Sequence, residues 1–165
     1  MTPYTRAAKK TRHRVAICSI TAIVAVSAFV FLSFLLSYSV VEQYVICRYD
    51  FTPLNIEEKF EERYALFTEN LLSTINIKDQ NKDKEAIKTR NLESRIRKFT
   101  ILHYDFSFNR PIYTVNVSAG YYTNGIETNP YNYSFTIALQ RQGIFQYRIT
   151  DVTLVDEPNH NHSNS

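Results

Sequence analysis

The chain has few of the residues on which disulfide-stapled domains and nucleotide-binding enzymes rely. Its 165 residues include only two cysteines and three glycines. The sequence contains no glycine-rich phosphate loop, no Ser or Cys nucleophile motif and no His or Cys cluster with metal-ligand spacing. These absences predict that the protein is not an enzyme, and that it has no catalytic residue, no metal site and no cofactor.

The two cysteines are too far apart to pair with each other. Cys18 and Cys47 are separated by 29 positions in the sequence. This separation is about 43 Å along a helix, whereas disulfide-bonded Cα atoms lie within about 7 Å of each other. Cys47 is a candidate for cross-linking to a second copy and Cys18 for acylation, but we expect both to act as small apolar residues. The chain beyond Cys47 must fold without disulfides.

One long stretch of the chain lacks charge altogether. Residues 15–41 contain no Asp, Glu, Lys, Arg or His. As a helix this stretch rises about 40 Å, which exceeds the roughly 30 Å hydrocarbon core of a bilayer. The apolar region of a cleavable signal peptide is only about 7–15 residues long. We therefore expect an uncleaved transmembrane helix at 15–41.

Acidic residues are missing from the segment before this stretch. Residues 1–14 carry five basic side chains and no acid. Such an excess of positive charge favours a cytoplasmic N-terminus, which places the rest of the chain outside the cytosol. The five residues account for more than the formal net charge of +3, so 14 basic residues face 16 acids in the remainder. The basic pI therefore reflects topology, and we expect no direct contact with nucleic acid.

The sequence after the anchor suits one compact domain. Residues 41–48 are expected to continue the helix or to form a short stalk. Thr52-Pro53 is expected to end this helical structure before the next helix starts. The predicted organisation is a basic cytoplasmic tail at 1–14, a transmembrane helix at 15–41, a stalk at 42–54, an extracytoplasmic α+β domain at 55–156 and a disordered tail at 157–165.

Helical periodicity follows the stalk. Asn55 and Glu58 have the spacing of a capping box at the start of a helix near 55–76. One face of that helix is apolar and must be buried. A polar loop at 78–84 separates it from a weaker helix near 84–98, whose basic residues are expected to be mostly solvated. The apolar face consists of Phe60, Tyr64, Phe67, Leu71 and Ile75.

From Phe99 onward, apolar residues recur at every second position instead of at helical spacing. Four alternating runs separated by short connections predict an antiparallel sheet with one face packed on the helices. The connections are Asn109-Arg110-Pro111, the longer segment Thr123–Pro130 and Arg141-Gln142-Gly143. The residues expected on the apolar face are Leu102, Tyr104, Phe106, Phe108, Tyr113, Val115, Val117, Ala119, Tyr131, Tyr133, Phe135, Ile137, Leu139, Phe145, Tyr147, Ile149, Val152 and Leu154.

This order of elements resembles the cone-shaped nuclear transport factor two-like fold. The stretch 142–152 is similar to the last hairpin of that superfamily, in which a Gly turn precedes an aromatic residue and an alternating strand. With its basic tail and single span, the chain resembles the bitopic assembly factor of bacterial type IV secretion and conjugation machines. Many members of that family have an Asn-Pro-x-Gly turn before the last strand. This chain has Gln142-Gly143 there, and Asn129-Pro130 one strand earlier.

The resemblance implies a non-enzymatic scaffold in the lipid bilayer that self-associates and docks other membrane proteins of a secretion complex. Two alternatives remain open. The first is a membrane-tethered ligand-binding or adhesion module. The second is an enzyme built in the cavity of the cone, for which His103 and Asp105 are the candidate acid–base pair, although their alternation with apolar residues favours exposure to water.

Several polar residues match modification or metal-binding patterns only weakly. Asn116, Asn132 and Asn161 stand in glycosylation acceptor patterns, the first two within predicted strands. His160 and His162 lie in the expected disordered tail, where no preorganised ligand shell forms. We expect no metal site there.

The orientation is tested by proteolysis. Protease added to spheroplasts, in which only the cytoplasmic membrane is sealed, is expected to digest the domain after residue 42 and to spare 1–14, because the domain lies outside the cytosol. Immunoblotting with antibodies against each end reads out the result, with a cytosolic protein as the control for sealing. A domain that is digested only after the cells are broken contradicts the topology.

Overall fold

The structure is a computed structural model that describes residues 3–128 and 130–156, with side chains over 19–128 and 130–155. The predicted tail at 157–165 lies outside the described residues. The chain divides into two compact units, Met1–Leu35 and Leu36–Ser165. The elements are α1 (Pro3–Tyr49), α2 (Ile56–Ala65), α3 (Glu69–Thr74), α4 (Ile77–Thr89), β1 (Leu92–Asp105), β2 (Ile112–Thr123), β3 (Ile126–Glu127), β4 (Tyr131–Arg141) and β5 (Tyr147–Asp156).

The first unit is helical over all of its described residues and exposes its apolar side chains. Ile20, Ile23, Val24, Val26 and Phe31 are each between 62% and 66% exposed. Within the described part of the chain, one helical stretch, Ser19–Tyr49, is long and apolar enough to cross a membrane by length and composition. This apolar helix fits the single-span anchor predicted from the sequence.

The last turns of α1 belong to the second unit and form part of its core. Ser37, Val41, Tyr44 and Val45 are all buried. Their spacing of four, three and one residues is that of one helix face. The sequence left open whether residues 41–48 continue the helix or form a stalk, and the structure continues the helix to Tyr49. The segment assigned to the stalk therefore contributes core side chains.

This end of α1 packs on an antiparallel sheet in which most neighbouring strands also follow one another in the chain. The strand order is β1-β2-β4-β5, and the short β3 pairs with β2. β2 lies inside the sheet, and its residues alternate between buried and half-buried positions. Bulges or irregularities interrupt the pairing of β1 with β2 and of β4 with β5, and such irregularities bend strands. The α+β class and the antiparallel sheet predicted from the sequence are confirmed.

An aromatic contact and two buried hydrogen bonds attach the end of α1 to the sheet. The Tyr44 ring meets the Phe135 ring edge-on at 6.1 Å between centroids. The hydroxyls of Ser37 and Tyr113 are hydrogen-bonded at 2.7 Å. At the other end of the buried stretch, the Ser94 hydroxyl donates to the Tyr49 carbonyl oxygen at 2.7 Å. Because buried polar groups are costly when unpaired, these bonds favour one position of the helix on the sheet.

The helix predicted at 55–76 is two helices in the structure. Leu66 and Thr68 leave the helical path because their backbones bond to Ile149 of β5, at 2.8 Å and 2.9 Å. α3 then starts with Thr68 as its N-cap. The predicted capping box is also wrong, since the Asn55 side chain makes no cap bond and accepts from the Thr52 amide instead, at 2.7 Å.

The second predicted helix is displaced towards the N-terminus. α4 occupies the segment 78–84 that was expected to be a loop, and it ends at Thr89. Asn91 has a φ of 48°, and the chain enters β1 at Leu92. Residues 92–98, expected to be helical, are thus strand. Charged and uncharged residues alternate over 92–97, and this alternation is the strand signal that the helical interpretation overlooked.

The remaining strands lie where the alternation predicts them, with local differences. A tight turn with positive φ at Asn124 and Gly125 shortens the predicted connection 123–130, and β3 follows it. Leu102, expected on the buried face, is 59% exposed, next to a bulge between Ile101 and His103. Phe106 and Phe108, also expected on the buried face, are exposed because β1 ends at Asp105 and they belong to the turn that follows. Phe145 is exposed because it belongs to the turn before β5, and Leu154 is half exposed near the end of that strand.

Tyr44 provides the test of the buried helix end. Tyr44→Ala is expected to lower the free energy of unfolding by about 3 kcal/mol, because it removes a fully buried aromatic ring. Gln43→Ala, at the adjacent exposed position, is expected to change it by less than about 0.5 kcal/mol. Urea unfolding of the full chain in detergent, followed by circular dichroism, gives both values. Equal effects of the two substitutions contradict burial of this helix face.

Candidate docking groove

A groove of about 470 Å³ opens at the end of the domain where α1 terminates. The C-terminal end of α1, α2 and α4 form its walls, together with the first residue of β1 and one residue each from β2 and β4. α2 and α4 are held in place by a small apolar cluster in which Phe51, Ile56 and Phe60 are buried. We call this feature the arginine groove after three of its lining residues, Arg48, Arg63 and Arg90.

Two of the arginines lie over aromatic rings. The Arg63 guanidinium carbon is 4.2 Å from the centre of the Phe60 ring, and that of Arg48 is 5.5 Å from the centre of the Tyr49 ring. Such stacking holds a cation in place without neutralising it. Arg48 also donates hydrogen bonds to the hydroxyls of Tyr44 and Tyr49, at 2.9 Å and 3.2 Å. Both guanidinium groups are therefore positioned in advance.

The arginines in the groove lack acidic partners. Arg48, Arg63 and Arg90 form no ion pair with any acid in the described part of the chain. Burial, followed by the nearby charge of Arg48, lowers the pKa of Arg63, as expected for a buried cation that lies near a second one. Asp83 is the only acid among the described lining residues. The groove therefore has a positive balance that an anionic group would relieve.

Tyrosine side chains supply an aromatic side of the groove. Tyr121 and Tyr133 line it, and their hydroxyls are 3.3 Å apart. The Tyr133 ring lies 5.0 Å from the Tyr49 ring. Burial, followed by the hydrogen bond to Tyr133, raises the pKa of Tyr121. The Tyr121 hydroxyl therefore stays protonated at neutral pH and does not offset the arginine charge.

One wall residue has an unused hydrogen-bonding atom. The Gln80 side-chain oxygen is buried without a hydrogen-bond partner among the described residues. Gln80 lies on α4, one turn before Asp83, and both line the groove. A bound group with donors would satisfy this oxygen. The groove thus offers cations, aromatic rings and hydrogen-bonding groups together.

The basic residues predicted to form one solvated helix face are distributed among different partners. Lys84 and Lys88 both bind Glu57, at 2.8 Å and 2.7 Å, which joins α4 to α2. Arg95 pairs with Glu93 on β1, and Arg97 pairs with Glu127 on β3. Arg90 alone of this group lines the groove. Arg48 and Arg63, which complete the groove, were not expected from the sequence. In the sequence, the only indication of a role for Arg63 is that this basic residue lies next to the apolar face of α2.

The candidate acid–base residues lie elsewhere. His103 and Asp105 are exposed on β1 and do not line the groove. No group of three or more His, Cys, Asp or Glu residues that could hold a metal ion occurs in the described part of the chain. Cys47, a candidate for cross-linking to a second copy, is buried, and its thiol donates to a Glu62 carboxylate oxygen at 3.4 Å.

Among known proteins, this chain is similar to solved structures. No protein-family model and no curated protein sequence matches the chain. The periplasmic domain of DotI superposes with a TM-score of 0.51 at 16% identity, covering 72% of this chain and 92% of that domain. An IcmL-like type IV secretion system protein from Legionella pneumophila gives a TM-score of 0.51 at 12% identity, covering 73% of this chain and 91% of that protein.

These similarities establish the fold. At such low identity they carry no residue-level correspondence, so the arginine groove rests on the geometry of this chain alone. The resemblance noted from the order of elements is confirmed at the level of fold, since the structural neighbours are a periplasmic domain and a type IV secretion system protein. With its apolar N-terminal helix, the chain fits a membrane-anchored protein with an extracytoplasmic domain.

Glu57 tests how the walls of the groove are held together. Its hydrogen bonds to Lys84 and Lys88 lower its pKa to about 2. A lowered carboxyl pKa contributes stability that is present above the unfolded-state pKa of about 4.3 and is lost as the pH falls through about 2. Glu57→Gln is therefore expected to lower the urea midpoint at neutral pH, and this difference should shrink as the pH decreases through that range.

Glu58→Gln is the matched control for Glu57→Gln. Glu58 lies on the same helix and forms no ion pair with the described residues. Urea unfolding of both variants and the unmodified chain at several pH values provides the comparison. An identical pH profile for the two variants contradicts the bridge between α2 and α4.

Proposed function

We propose that this chain is a single-pass membrane scaffold component of a secretion or conjugative DNA-transfer apparatus. The observation that carries the proposal is a fold similar to the periplasmic domain of DotI and to an IcmL-like type IV secretion system protein, joined to an apolar helix. The scaffold acts by self-association and by docking other proteins, without catalysis. The exposed position of His103 and Asp105 supports a non-catalytic function.

The proposed topology has a cytoplasmic N-terminus and an extracytoplasmic domain. The charge distribution supports this orientation, since residues 1–14 have five basic residues and no acid. The similarity to the periplasmic domain of DotI supports the extracytoplasmic location of the domain.

Docking occurs at the arginine groove, and its occupant is an acidic segment of another envelope protein of the apparatus. Three arginines and one aspartate line the groove, so a carboxylate-bearing segment has complementary charge. Arginine forms bidentate bonds with carboxylates, and the aromatic rings provide the apolar contacts that concentrate binding energy in protein interfaces. The stacking of Arg48 and Arg63 reduces the entropy lost on binding.

A second candidate is a membrane-tethered ligand-binding module. The open groove favours it, because Tyr49, Tyr121 and Tyr133 gather on one side as in many small-molecule sites. Native mass spectrometry of the purified full chain distinguishes the two candidates. A retained small molecule that Arg90→Glu releases favours the ligand-binding module.

Charge reversal in the groove tests docking. In intact cells, cross-linking followed by mass spectrometry is expected to join the groove to an acidic segment of another envelope protein. Arg63→Glu and Arg90→Glu should each reduce that product at least tenfold, about 1.4 kcal/mol, because each places a carboxylate against a carboxylate. Circular dichroism confirms that the variants fold.

Lys78→Glu and Lys82→Glu are the matched controls. Both residues lie on α4 and neither lines the groove, so the same change of charge should leave the product unaltered. Loss of the product with the controls, or its persistence in both groove variants, contradicts docking at this site. Recovery of the chain solely as an isolated monomer contradicts the scaffold function as a whole.

A further inference from the structure

The turns at one end of the sheet expose apolar side chains beside two arginines. The turn between β1 and β2 contributes Phe106 and Phe108, which are 44% and 41% exposed. The turn between β4 and β5 contributes Ile144 and Phe145, at 67% and 56%. We call these four residues the apolar rim.

Direct contacts join the two turns. The Arg141 backbone amide donates to the Asn109 carbonyl oxygen at 2.9 Å, and the Tyr147 hydroxyl donates to the Phe108 carbonyl oxygen at 3.4 Å. The Arg141 guanidinium carbon lies 4.2 Å from the centre of the Phe108 ring, and the group also donates to the Ile144 carbonyl oxygen. Because the turns hold each other, the rim is one surface.

The rim lies at the end of the domain where α1 enters. Ser37, the second residue of the second unit, is hydrogen-bonded to the Tyr113 hydroxyl. The Tyr113 ring lies 4.5 Å from the Tyr104 ring. Tyr104 in turn contacts the Phe106 ring at 6.0 Å. Tyr49, at the far end of the buried helix stretch, is about 18 Å further along the helix.

The covalent chain therefore determines what lies near the rim. The exposed apolar residues of the first unit, including Phe31, directly precede Leu36, where the chain joins the domain. If that segment spans a bilayer, as proposed above, the helix leaves the domain beside the rim and enters lipid within a few residues. A helix rises only about 1.5 Å per residue, so little room separates this end of the domain from the bilayer surface.

The composition of the rim suits the interface between headgroups and acyl chains. Aromatic and aliphatic side chains partition there, and arginine side chains extend to reach phosphate groups. Arg110 and Arg141 supply two cations within these turns, against the single carboxylate of Asp105 at the end of β1.

We propose that the apolar rim inserts into the headgroup region of the bilayer and makes a second membrane contact beside the anchor. Phe106, Phe108, Ile144 and Phe145 enter the interface, while Arg110 and Arg141 bind lipid phosphate. This inference rests on the anchor of the proposed function but not on docking at the arginine groove.

The experiment uses the full chain in liposomes. Cys18→Ala leaves the buried Cys47 as the only native cysteine, and a single new cysteine carries an environment-sensitive fluorophore. Phe106→Cys and Ile144→Cys probe the rim. Leu54→Cys and Ile126→Cys are the matched controls, since these residues are 98% and 74% exposed and lie near the opposite end of the sheet. The lipids carry a quencher close to the headgroup.

We expect blue-shifted emission and quenching by the labelled lipid at positions 106 and 144, and neither effect at 54 and 126. Emission at 106 and 144 that matches the controls overturns the proposal. A blue shift without lipid quenching also overturns it, because a second copy of the chain or another protein would then cover the rim. Resistance of the chain to alkaline extraction is measured in parallel. Failure there indicates that the anchor itself is wrong, which separates the two hypotheses.

Discussion

The packing of the last turns of α1 against the sheet is the constraint on which the rest of the domain depends. Val41, Tyr44 and Val45 are almost completely buried, and the inner residues of β2 and β4 are buried with them. A four-stranded antiparallel sheet needs an apolar layer on at least one face. Here one helix supplies much of that layer, and its hydrogen bonds to Tyr113 and Ser94 fix its position.

The position of this helix also creates the arginine groove. α1 stops at Tyr49, and the chain then turns through the Phe51–Ser94 bridge towards α2. The space beyond the helix end is bordered by α2, α4 and the ends of strands, which leaves Arg48 at the edge of the core. Arg48 continues the spacing of the buried helix face, but because the helix ends there its side chain lines the arginine groove.

Much of the fold could be predicted from the sequence, because the alternation in β2 and β4 is regular and the uncharged stretch is long. The errors have local physical causes. Pairing with Ile149 breaks the helix at 55–76, and no property of residues 66–68 themselves indicates a partner that distant in sequence. The groove was not foreseen for a similar reason. Its arginines come from α1, α2 and the C-cap of α4, and only the tertiary packing brings them together.

The division of α1 between the two units has a consequence for the length of the proposed membrane anchor. Residues 36–41 are as uncharged as those before them, so by hydropathy alone they partition equally well into acyl chains. In the folded second unit, however, Ser37 and Val41 are buried in the core. Residues 15–35 then remain for the proposed anchor, about 31 Å of helix, which is close to one hydrocarbon thickness. If the helix spans a bilayer as proposed, folding of the second unit thus limits how much of α1 can enter the lipid, and it opposes slippage of the chain across the membrane.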